Sequence, residues 1–153
     1  MKVYQIIILI ILFFSSCNPK KSKVGEKIIF PKSLEVYLPF DGQEINYIDY
    51  SSIHYRLKIY TLIDVSCSTC LLKLEKWNEF QSDTKVAVIP ICYSVDNFEL
   101  LKYLFENDKI KKIQLPLYLD HHNQFLKQNK TLIKNIYNFS VLTDISNNIL
   151  LVG

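Results

Sequence analysis

The stretch Leu57 to Val65 (Leu-Lys-Ile-Tyr-Thr-Leu-Ile-Asp-Val) runs directly into Ser66-Cys67-Ser68-Thr69-Cys70, and from there into Leu71-Leu72-Lys73-Leu74-Glu75-Lys76-Trp77. No other feature narrows the choice of fold as much. The first stretch is rich in β-branched and aromatic residues, and its second half is almost wholly apolar, which suits a strand covered on both faces. Cys67, Cys70, Leu71, Leu74 and Trp77 then recur at the spacing of one helix face. A strand followed without a linker by a helix places both cysteines at the helix start, with Ser66 the expected N-cap. The unpaired amides and the dipole of that first turn favour an anion, so Cys67 is expected to have a lowered pKa. Cys70, one turn deeper, is placed to attack a mixed disulfide formed at Cys67.

Other chemistry fits a Cys-x-x-Cys pair. It is half of a zinc site, but no second Cys-x-x-Cys or His-x-His completes four ligands. His121 and His122 are adjacent and expected on a solvated loop, so no metal and no cofactor is expected. A permanent structural disulfide is the remaining alternative. Cys92 lies alone within a strand pattern, where a cysteine behaves as a small core hydrophobe.

The N-terminus carries an address. Lys2 precedes an unbroken apolar run from Ile6 to Phe14, then Ser15, Ser16 and Cys17. A cationic start, about ten apolar residues and small residues before a cut site describe a secretory signal, too short for a comfortable membrane-spanning helix. Phe14-Ser15-Ser16-Cys17 also resembles the lipobox of bacterial lipoproteins, which implies acylation of Cys17 and removal of residues 1–16. Residues 17–27, with Lys20, Lys21 and Lys23, read as a polar tether, and 28–153 as one domain. The implied location is a lipid-anchored domain facing the periplasm or the cell exterior.

Composition places limits. Hydrophobic residues make up 49 % of the 153 and charged ones 22 %, which fits a packed domain rather than a disordered chain. A net charge of +3 is too small to imply a nucleic-acid partner.

Further elements follow from pattern. Ile28–Phe30 and Leu34–Leu38 read as strand pieces and Asp41-Gly42 as a turn. Lys85–Tyr93 reads as a strand, and Pro90 argues for a sheet edge or an early end. Asp96-x-x-Glu99 loosely fits a capping box before the helical stripe of Phe98, Leu101 and Phe105. Leu115–Leu119 reads as a short strand ending at Asp120, and Asn123–Asn129 as a short helix. Phe139–Ile145 and Ile149–Val152 flank Ser146-Asn147-Asn148 as a hairpin. The expected architecture is an α/β three-layer sandwich with a central mixed sheet.

The strand, the Cys67-Ser68-Thr69-Cys70 helix start, Trp77 and the closing hairpin resemble thioredoxin-like proteins. The likeness, over roughly 57–153, is to the membrane-anchored periplasmic type typified by TlpA and ResA, with 115–129 as that type's inserted strand and helix. It implies a thiol–disulfide oxidoreductase with Cys67 attacking and Cys70 resolving. The implied partners are protein thiols and disulfides and a membrane redox donor. The chain departs from the pattern in four places. Ser66 stands where a Trp is usual, and Asn138 or Phe139 where a cis-proline faces the disulfide. Thr61 replaces the buried acid of thioredoxins proper, with Asp64 as a nearby substitute whose simpler role is to bind backbone. No helix pattern follows the hairpin, so one sheet face is expected to lack that cover. The departures leave room for a non-catalytic binding or scaffold lipoprotein, and more remotely for a copper or zinc carrier.

Overall fold

The computed structural model describes residues 23–39, 43–45, 55–110 and 113–153. The leader 1–16, Cys17, the first part of the tether and the Asp41-Gly42 turn lie outside the described residues. Seven strands form one mixed sheet. They are β1 (Glu35–Leu38), β2 (Gln43–Ile45), β3 (Leu57–Asp64), β4 (Val86–Tyr93), β5 (Leu117–Leu119), β6 (Ser140–Asp144) and β7 (Ile149–Val152). Among the described residues three helices accompany them: α1 (Ser68–Asp83), α2 (Glu99–Glu106) and α3 (Gln124–Gln128). The strand order is β2-β1-β5-β4-β3-β6-β7. Strand β4 is parallel to β3 and β5, and the remaining pairings are antiparallel.

Strand alternation divides the core in two. Tyr60, Leu62, Ile89, Ile91 and Val141 point to the face covered by Phe125 of α3 and by the segments around Ile28 and Leu132. Ile63, Val88 and Cys92 point to the other, under Leu71 and Leu74 of α1 and Leu101 of α2. Each fully buried leucine of α1 contributes about 2 kcal/mol of apolar burial, which fixes the helix to the sheet. This is the three-layer sandwich expected.

Pro90 is the main correction. It lies inside β4, the middle strand of the sheet, opposite Thr61 of β3. The reason is which way its missing N–H points. Val65 donates to the Tyr93 carbonyl (3.0 Å) on the β3 side, and Asp120 donates to the Cys92 carbonyl (2.9 Å) on the β5 side. Alternation puts Pro90, two residues before Cys92, on the β5 side as well. β5 pairs only with Ile91 and Cys92, so no ladder bond is lost at Pro90. Further back on that side, the Val88 N–H is taken by Gln81 Oε1 of α1 at 2.7 Å.

Other boundaries shift. Ile28–Phe30 is not a strand, because its backbone bonds turn elsewhere: Ile28 N–H goes to the Asn147 carbonyl (2.9 Å) and Ile29 N–H to Asn129 Oδ1 (2.9 Å). The folded body begins within the segment read as tether. Gly25 donates to the Ile149 carbonyl and Ile149 to the Glu26 carbonyl, both at 2.8 Å, which laces residues 25–28 along the closing hairpin. β2, which the sequence pattern does not signal, extends the sheet beyond β1. The capping box at Asp96 does not form: the N-cap of α2 is Phe98, left-handed like Asn97, and the Asp96 N–H goes to Ser94 Oγ (3.1 Å), although Asp96 Oδ2 accepts the Leu100 N–H (3.1 Å). The hairpin holds as expected. Asp144 Oδ1 accepts the N–H groups of Ser146 (2.8 Å) and Asn148 (2.9 Å), closing the turn.

Candidate active site

Strand β3 ends at Asp64, and α1 begins four residues later. The N-cap of α1 is Cys67, not Ser66: its carbonyl accepts the N–H groups of Cys70 (2.9 Å) and Leu71 (3.2 Å). Ser66 cannot cap because it is bound backwards. Its N–H (3.0 Å) and its hydroxyl (2.5 Å) both donate to Asp64 Oδ1. Asp64 thus fastens the turn between strand and helix, the backbone role that a strand-end aspartate suggests.

Both thiols are free. Cys67 and Cys70 are partly exposed, and Cys92 is buried in the core beneath α1. The Cys67 sulfur lies 3.0 Å from the Thr69 hydroxyl and shares a hydrogen bond with the Cys70 thiol. The Cys70 thiol first and the Thr69 hydroxyl second, with backbone amides behind them, lower the Cys67 pKa to about 7. The direction is the one the helix start implies, but the leading cause is side-chain donors rather than the amides alone. Cys70 moves the other way. Its thiol is raised because it donates to Cys67, and burial adds to this. Burial alone raises the Cys92 thiol far above the ordinary range, leaving it inert.

Two further residues border the dithiol. Tyr93 ends β4 in register with Asp64, and its hydroxyl is buried without a hydrogen-bond partner among the described residues. Burial, then the charge of Asp64, pushes that phenol up to about 12. Lys73, one turn beyond Cys70, donates to the Tyr137 carbonyl (2.7 Å) and reaches Asn138 Oδ1 (3.4 Å). That bond ties α1 to the loop before β6. Thr69 was open to sequence reasoning, as a hydroxyl two residues after the nucleophile. Tyr93 and Lys73 were not, because strand register and loop position bring them there.

Of the two residues considered for the cis-proline position, Phe139 faces inward. It is buried against Phe125 (ring centroids 6.2 Å apart), and its carbonyl accepts the Leu62 N–H at 3.2 Å. Asn138 is exposed beside Lys73. Thr61 is buried, its hydroxyl bonded to the Phe139 carbonyl (3.3 Å) and to Ser140 (3.0 Å), so it holds β6 to β3. The histidines stand elsewhere. His121 bridges Glu35 Oε2 and Asn97 Oδ1, both at 2.9 Å, with the edge of Phe98 against its ring. Among the described residues, no three His, Cys, Asp or Glu side chains converge where a metal ion could sit.

Removing the Thr69 hydroxyl should raise the Cys67 pKa toward the free-thiol value of about 8.5. For Thr69→Val, iodoacetamide alkylation of Cys67 near pH 6 is expected to slow by about threefold to tenfold, with little change above pH 9. An unchanged pH profile would rule out the Thr69 contribution.

No protein-family model and no curated protein matches the sequence. Solved structures do match. A thioredoxin-like protein from Aeropyrum pernix aligns with a TM-score of 0.51 at 14 % identity, over 80 % of this chain and 81 % of its own. The exposed lipoprotein thioredoxin Etrx1 of Streptococcus pneumoniae gives 0.53 at 16 %, over 78 % and 86 %. The reduced 2-Cys peroxiredoxin of Plasmodium vivax gives 0.60 at 15 %, over 86 % and 72 %. With the dithiol at the start of α1, the sheet between two covering layers and these likenesses together, the chain has the thioredoxin-like fold.

Proposed function

We propose that the chain is a lipid-anchored, extracytoplasmic thiol–disulfide oxidoreductase that exchanges a Cys67–Cys70 disulfide with protein thiols. The observation that carries the reading is the asymmetry of the two thiols. Cys67 is accessible and its pKa is lowered to about 7, while the Cys70 thiol donates to it and is raised. In the reducing direction, the Cys67 thiolate attacks a substrate disulfide and one substrate sulfur leaves as a thiolate. Cys70, losing its proton, then attacks the Cys67 sulfur and releases the second substrate thiolate. Two electrons pass from the dithiol to the substrate. A membrane redox donor would have to restore the dithiol.

Permanent cross-linking does not need such an asymmetry, and neither does a scaffold. A metal-carrier role would call on His121, which Glu35 and Asn97 already engage. The anchor is part of the proposal on sequence grounds, from the run ending at Cys17.

The test has two arms. In glutathione buffers of graded potential, the Cys67–Cys70 pair should convert reversibly between dithiol and disulfide, with Cys92 remaining a free thiol. A pair that stays oxidised at every potential supports a structural bridge instead. Separately, Cys17→Ala should abolish acylation and move the protein from the membrane to the soluble extracytoplasmic fraction. A variant that remains membrane-bound and unprocessed makes residues 1–16 a transmembrane anchor and removes the lipoprotein reading.

A further inference from the structure

Two clefts meet at Asn138 and Phe139. One, of about 400 Å³, runs along the flank of α1 beneath Lys73, Lys76 and Trp77. The other, of about 480 Å³, lies between Lys23, Lys134 and the end of β7. Lys73 and Lys76 therefore border one cleft and Lys23 and Lys134 its neighbour, the two sharing Asn138 and Phe139, and among the described residues no Asp or Glu lines either cleft. Lys23 and Lys73 keep their ammonium groups there by donating to backbone carbonyls, Lys23 to Thr131 and Leu132, Lys73 to Tyr137. Lys134 is close enough to oppose the Lys23 charge, and Glu26 beside Lys23 partly offsets it. Between the charges the surface is apolar and open: Tyr137 is 64 % exposed and Leu151 62 %. A cationic rim around exposed aromatic and aliphatic groups is the chemistry that binds anionic lipid head groups while inserting shallowly among them.

The chain itself supplies the second argument. The described body starts at Lys23 on this same surface, six residues after Cys17, and Lys20 and Lys21 lie between them. Six residues span at most about 20 Å. Acyl chains on Cys17 would therefore keep Lys23, at the edge of this surface, within about 20 Å of the bilayer.

We propose that the Lys23–Lys73–Lys76–Lys134 face lies flat on the anionic head groups of the membrane in which Cys17 is anchored. Lys73 is one turn from Cys70, so the dithiol is presented at the bilayer surface, toward membrane-borne rather than freely diffusing partners. The orientation rests on the anchor proposed above, whereas the lipid affinity of the face does not.

Trp77, the single tryptophan of the chain, lines the first cleft and serves as the probe. The protein is extracted from membranes and reconstituted into phosphatidylcholine vesicles carrying a nitroxide on some head groups, with or without phosphatidylglycerol at about a third of the lipid. Trp77 quenching should be at least about threefold stronger in the anionic vesicles, and raised salt should reverse it. The double variant Lys76→Glu, Lys134→Glu should return it to the neutral-vesicle level with an unchanged circular-dichroism spectrum. Equal quenching in both lipids, with the protein floating with both, overturns the proposal and leaves an acidic protein as the partner of this face. Failure to float with neutral vesicles points instead to a failed anchor. In that case, salt-sensitive quenching by anionic vesicles still supports the face, and its absence overturns it.

Discussion

Cys67→Ser is expected to reduce disulfide exchange to the uncatalysed background, the largest effect of any single substitution in this chain. A serine hydroxyl is not ionised near neutral pH and forms no mixed disulfide, whereas a thiol with a pKa of about 7 is roughly half thiolate there. Cys70→Ala should behave differently. The first attack survives but the second does not, so one substrate molecule stays covalently bound to Cys67. The structure adds a condition to this trap. The Cys70 thiol is the leading cause of the lowered Cys67 pKa, so its removal also weakens the nucleophile. Trapping by Cys70→Ala should be slow at pH 6 and recover by pH 9, as the thiol titrates nearer its ordinary value of about 8.5. Intact-mass spectra of the variant mixed with a disulfide-bonded peptide would show the adduct. Multiple turnovers by Cys67→Ser, or unimpaired turnover by Cys70→Ala, would each remove the assignment of roles.

The second large effect is on stability. Phe125 is the one large side chain that α3 buries, and it is fully inaccessible. Its ring stacks on Tyr60 (centroids 6.1 Å apart) and meets Phe139 edge-on at 6.2 Å, so it joins the short helix both to β3 and to the residue before β6. The helix is also held by Asp120, whose carboxylate accepts the N–H groups of Gln124 (2.7 Å) and Phe125 (2.8 Å). Truncating a fully buried aromatic costs about 3–5 kcal/mol, since Tyr60 and Phe139, held in the sheet and in the segment before β6, cannot collapse to fill the void. Phe125→Ala should therefore lower the melting temperature by about 10–15 °C, a large part of the stability of a domain this size. Phe125→Leu, which keeps most of the volume, should recover over half of the loss. Reversible thermal unfolding by circular dichroism measures both. A loss under about 1 kcal/mol for the alanine variant would mean that α3 is not part of the cooperative core.

Periodicity is local information, and the elements that depend on it were legible in the sequence. The strand before the cysteines, the helix after them, the hairpin around Asn147 and the buried state of Cys92 all follow from residues within a few positions of one another. So does the direction of the Cys67 shift, because the Cys70 thiol, the Thr69 hydroxyl and the helix-start amides that lower it are all its sequence neighbours. The position of Pro90 could not be read that way. A proline is excluded from a sheet interior only if its missing N–H faces a partner, and whether it does depends on where β5 starts, some 25 residues downstream. Ser66 was misread for a similar reason: a good capping residue loses that role when Asp64, at the end of the preceding strand, takes its N–H and hydroxyl first. Tyr93 and Lys73 border the dithiol because parallel pairing sets Tyr93 beside Asp64, and because α1 is pressed against the loop before β6. Spacing along the chain thus determines which groups can ionise and which segments can be helix or strand. Which of them meet is decided by strand order and register, which balance the burial of both sheet faces over the whole domain.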